Sequence, residues 1–122
     1  MTAYLNALGI ICSLGRGAEE VAGKLFAGDC SGMQRQSGWV PERSVTVGAV
    51  NGELATIAPE LTQQRSRNNQ LLLEAALQVR NEIDQAIKTF GPERIAIVLG
   101  TSTSGIDEAS RGIAHYLLKQ QF

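Results

Sequence analysis

The chain has 122 residues, 43% hydrophobic and 19% charged, which is the length and composition of one globular domain. Its 11 basic and 12 acidic residues leave a net charge of -1, and aromatics make up only 5%, so neither a nucleic-acid surface nor a base-stacking platform is encoded. Cys12 and Cys30 lack Cys-x-x-Cys spacing and a neighbouring histidine, which reads as free thiols in a reducing, cytoplasmic setting.

The N-terminal residues 1–15 are apolar but carry no basic region, and Asn6 interrupts them, so they are not read as a signal peptide. Residues 4–12 (YLNALGIIC) read as a strand running into a glycine turn. A helix is expected over 18–27, with Val21, Ala22, Leu25 and Phe26 at helical spacing, Glu19 and Glu20 in its first turn and Gly28 ending it. Residues 29–44, rich in turn formers and holding Trp39, the sole tryptophan, read as a long loop. A strand over 45–50 closes at Asn51-Gly52, a hairpin signal, with 54–57 pairing back weakly.

The clearest element is a helix over 69–90. Leu72, Ala76, Val79, Ile83, Ala86, Ile87 and Phe90 make one apolar stripe along it, and Gly91-Pro92 ends it. A strand over 94–99 follows, then the turn Gly100-Thr101-Ser102-Thr103-Ser104-Gly105. A last helix from about Ile106 has Ile106, Ala109, Ile113, Tyr116 and Leu117 on its inner face. The strand between helices shows no polar alternation, which predicts an α/β fold whose parallel or mixed sheet is covered by helices on both faces. The chain stops at Phe122 while apolar residues are still arriving, and so reads as part of a larger domain.

The turn at 100–105 fits no phosphate loop. Gly105 is followed by Ile106-Asp107-Glu108 rather than lysine, and the glycine spacing misses the dinucleotide pattern. It fails as a nucleophile elbow because Ser104 stands where the second glycine belongs. His115, the one histidine, reads as a partly buried structural imidazole, and Cys12 as a small residue closing a core strand rather than a thiol partner for it. No spacing suits a metal, and no cofactor is implied.

Three blocks in order resemble one family. Residues 8–33 (LGIICSLGRGAEEVAGKLFAGDCSGM), 65–86 (RSRNNQLLLEAALQVRNEIDQA) and 94–108 (RIAIVLGTSTSGIDE) are similar to the opening of β-ketoacyl-acyl-carrier-protein synthases, the ketosynthases of the thiolase-like fold. Cys12-Ser13 replaces a common Ser-Pro, Asn69 a common aromatic, and Ser102 and Ser104 common glycines, which points to a divergent member from a fatty acid, polyketide or polyene pathway.

The resemblance implies a partial thiolase-like layered fold over residues 1–122, truncated before the nucleophile. In the family a cysteine takes the acyl chain, and two histidines, or His and Asn, assist decarboxylative condensation with a malonyl thioester. Cys12, Cys30 and His115 match none of these positions, so the chain alone is expected to be inert. The resemblance implies partnership with acyl-carrier protein, an acyl thioester and the remaining half of the fold, and leaves room for a homo-oligomer. No nucleic acid or membrane is expected. Gly100, Ser102 and Thr103 would line the acyl channel, with Thr103 either gating it or simply facing solvent. The alternatives are a non-catalytic chain-length-factor-like subunit and a self-standing small-molecule-binding module.

Overall fold

The computed structural model describes residues 3–101 and 105–120. The chain opens with a small antiparallel pair, β1 (Ile11–Cys12) and β2 (Gly15–Arg16), in which Ile11 faces Arg16 and Cys12 faces Gly15. The strand expected over 4–12 is thus paired only at its end. Tyr4, Leu5 and Leu8 are exposed, because among the described residues no strand lies beside them.

Helix α1 (Ala18–Phe26) matches its sequence signals, buries Val21, and carries Glu19 and Glu20 in its first turn and Lys24 in its last. The next segment differs from expectation. Residues read as a loop form β3 (Met33–Val40), which pairs antiparallel with β4 (Arg43–Gly48), Met33 facing Gly48 and Gln36 facing Val45. The hairpin therefore closes around Pro41-Glu42, not at Asn51-Gly52, and a register shift falls between Ser37 and Val40. Polar residues on both faces of β3 hide it from a periodicity test, and the β-branched Val45, Thr46 and Val47 opposite hold the pairing.

Residues 54–57 form no strand, because side chains satisfy the backbone there. The Arg16 guanidinium donates to the carbonyls of Glu53 (2.6 Å) and Asn51 (3.4 Å), and the Glu74 carboxylate accepts from the Ala55 amide (2.8 Å). Ile57 is buried in this region.

The long helix divides into α2 (Arg67–Gln78) and α3 (Arg80–Phe90), with Val79 at φ −116° and ψ 16° between them. Ser66 caps α2 by accepting from the Asn69 amide (3.1 Å). At its other end the Gln78 amide grips both backbone groups of Ile10, accepting from its N–H (2.9 Å) and donating to its carbonyl (3.0 Å). The backbone tightens there to a bond from the Val79 N–H to the Ala76 carbonyl (3.2 Å) before α3 resumes. No glycine or proline announces the break.

The strand expected over 94–99 is also revised. Pro92–Arg94 is a short 3₁₀ turn, and the residues after it join no sheet. Ile97, Val98 and Leu99 are 64%, 85% and 62% exposed. Apolar content makes a strand competent, but the ladder needs a neighbour, and the described residues supply none. Helix α4 (Ile106–Lys119) is the last described element. Among the described residues the result is a mixed α/β arrangement with two antiparallel strand pairs in place of the anticipated parallel or mixed sheet.

Two glycines are fixed by close approach. A methyl group at Gly9 would fall onto the Ala75 carbonyl, and one at Gly32 onto the Ser13 carbonyl, whereas a methyl at Gly23 in α1 meets nothing. Gly32→Ala is therefore expected to destabilise the chain by about 1–3 kcal/mol through overpacking. Gly23→Ala should stabilise it by roughly 0.5–1 kcal/mol, through lower chain entropy in a helix. Urea unfolding followed by circular dichroism checks both signs.

Candidate functional site

Of the three residues expected along an acyl channel, Gly100 is exposed, and a side chain added there would meet no atom within 4 Å. Ser102 and Thr103 lie outside the described residues. Beside them, the Thr101 hydroxyl donates to the Asn68 side-chain carbonyl (3.0 Å), tying the end of the 95–101 segment to the first turn of α2. Gly105 precedes α4, and its carbonyl receives the Ala109 amide (2.9 Å). His115 is exposed rather than partly buried, because no described layer lies over that part of α4.

A polar cleft of about 270 Å³ lies elsewhere, between the β1–β2 turn, the Glu20–Lys24 face of α1 and the Asn51 region. Cys12, Arg16, Glu20, Lys24, Ser31 and Asn51 line it. Its charges are already committed. Arg16 bonds Glu74 (2.6 Å), with the two side chains 36% and 21% exposed, and Lys24 bonds Glu20 (2.6 Å). Glu20 also accepts from the Arg16 amide (2.8 Å). That backbone bond, followed by Lys24, holds its carboxyl below the usual range. The same ion pair raises Lys24. Asp29 is lowered by the Ser31 amide (2.6 Å) and then the Ser31 hydroxyl. Cys12, half-buried, and Cys30, exposed, are free thiols. Among the described residues no group of His, Cys, Asp or Glu could hold a metal, and no helix is long and apolar enough to cross a membrane.

Sequence reasoning singled out none of Arg16, Glu74 and Gln78, which tie the N-terminal turn, the 51–55 segment and α2 together. A signal was present. Arg67, Gln70, Glu74 and Gln78 recur at three- and four-residue steps and make a polar stripe on one face of α2.

These turns and helices form a thiolase-like, ketosynthase-related fold, as comparison with solved structures shows. The chain is similar to one in the complex of a ketosynthase (ApeO) with its chain length factor (ApeC) from Xenorhabdus doucetiae, at 38% identity and a TM-score of 0.83. The match covers 98% of this chain and 30% of that one, so the chain spans about a third of the length of the protein it resembles. No family model matches, and no curated protein sequence does.

The carboxylate shifts give a pH dependence. Because Glu20 and Asp29 are lowered in the folded state, their stabilising bonds are complete above the usual carboxylate range. They are lost as pH falls through the lowered values. Carboxyl NMR titration should place both midpoints below that range; a Glu20 midpoint within it would remove its bond to the Arg16 amide.

Proposed function

We propose that this chain is the N-terminal part of a β-ketoacyl-acyl-carrier-protein synthase-like protein, acting on acyl thioesters in fatty acid, polyketide or polyene assembly. The observation that carries the reading is the 38% identity sustained over 98% of the chain with a TM-score of 0.83. On this reading the chain supplies framework and one wall of the acyl channel, and the nucleophile and histidines belong to the rest of the protein. Cys12, half-buried, lines the cleft, Cys30 is exposed, and on this reading both are framework thiols.

A second reading stays alongside it, because the matched complex contains a chain length factor as well as a ketosynthase. A factor-like protein would hold the acyl chain without attacking it. The two separate on acylation of the whole protein by an acyl-carrier thioester: a covalent acyl-cysteine supports the condensing enzyme, and none supports the factor.

The chain alone, incubated with acyl- and malonyl-carrier proteins, should give no condensation product and no acyl mass shift. A stoichiometric adduct on Cys12 or Cys30 would overturn the assignment. In the whole protein, Thr103→Phe should shorten the acyl chains produced, since a narrow apolar channel resists added bulk by roughly 1–3 kcal/mol. Unchanged product length with activity retained, read by mass spectrometry, would make Thr103 an ordinary turn residue.

A further inference from the structure

Asn51-Gly52 closes no hairpin, and lies instead outside every described strand and helix. Gly52 holds φ 83°, and among the described residues no acceptor takes its amide. A series of hydrogen bonds ends on the Asn51 side chain. The Trp39 indole N–H, which can only donate, gives to Gln36 Oε1 (2.8 Å). Gln36 Nε2 is thereby left to donate to Gln34 Oε1 (3.3 Å), and Gln34 Nε2 donates to Asn51 Oδ1 (2.8 Å). The first bond fixes the orientation of all three amides, and donors in series polarise one another. From the other side, Arg16 Nη2 donates to the Asn51 main-chain carbonyl (3.4 Å) and lies 3.5 Å from where a Cβ on Gly52 would stand.

Each contact prepares one half of a ring closure. The Gln34 N–H sits on the oxygen that gains charge when Cγ of Asn51 is attacked. The Arg16 cation draws electrons from the Asn51–Gly52 peptide, which favours loss of the Gly52 amide proton. Gly52 has no Cβ to obstruct the approach.

We propose that Asn51 is a modification site, closing on Gly52 to a succinimide that opens to aspartate or isoaspartate. Gly52 N gives its proton to hydroxide and bonds to Asn51 Cγ, and the Cγ–Nδ2 bond breaks with release of ammonia. Water then cleaves the ring nitrogen from Cγ, giving aspartate, or from the main-chain carbonyl carbon, giving isoaspartate. Either product puts a carboxylate on the cleft wall that Arg16 and Lys24 also line. Isoaspartate makes that carboxylate from the very carbonyl that Arg16 holds. The inference does not depend on the ketosynthase reading.

Peptide mass spectrometry of the whole protein, kept folded in mildly alkaline buffer, should show Asn51 exchanging NH for O before Asn6, Asn68, Asn69 or Asn81. The amides that would attack Asn68 and Asn69 are bonded to Ser66 (3.1 and 3.0 Å). Gln34→Leu, which removes the donor on Asn51, should slow conversion about three- to tenfold in the folded protein and not at all in urea. Trp39→Phe should slow it in the same direction, and decides the matter if circular dichroism shows Gln34→Leu unfolded. Asn51 left intact in the folded protein while urea converts it would overturn the inference. Conversion at one rate in the parent and in the folded variants would do the same.

Discussion

The described structure depends on one helix face that takes up other segments' backbone groups through its side chains. Along α2, Arg67 donates to the Val50 carbonyl (2.8 Å), Gln70 to the Ala55 carbonyl (3.5 Å), Glu74 accepts from the Ala55 amide, and Gln78 takes both groups of Ile10. Arg16 completes the arrangement by joining Glu74 to the carbonyls of Asn51 and Glu53. Each neutral bond contributes about 0.5–1.5 kcal/mol net, and those to charged groups about 1.5–3 kcal/mol. Among the described residues, Val21 and Ile57 are the buried apolar side chains, so such bonds weigh more here than in a domain with a full core.

The same constraint explains where the cleft's charges go. Arg16, Glu20 and Lys24 converge on the β1–β2 turn, yet each is engaged within the chain, so the cleft has the character of a joint. On the proposed reading, this third of the matched length serves as framework. The exposed strip at 97–99 and the exposed apolar residues of α4 are the complementary half of that picture. Polar groups secure the inner contacts, while apolar groups face outward toward whatever covers them.

Elements decided by local chemistry were readable from sequence. Helix α1 follows its first-turn glutamates, and α3 ends at Gly91, which adopts φ 83°. Helix α4 begins at Ile106, as its periodicity indicates. Elements decided by partners were not readable. Residues 4–9 and 95–99 have strand composition but no described strand beside them, and β3 looks like a loop until β4 lies beside it. The break at Val79 sits beside Gln78, which reaches Ile10, 68 positions away in the chain. Of the candidate channel, Gly100 alone is described, and its open surroundings neither narrow nor close a passage.

Hydrogen exchange at two amides tests the role of α2 most directly. Gln78→Ala should strip protection from the Ile10 amide and leave Ala55 protected. Glu74→Ala should do the reverse. Each loss should be about three- to thirtyfold for bonds of roughly 0.7–2 kcal/mol. Native protection at Ile10 in Gln78→Ala together with native protection at Ala55 in Glu74→Ala would contradict the account, because the helix face would then not be what holds those segments.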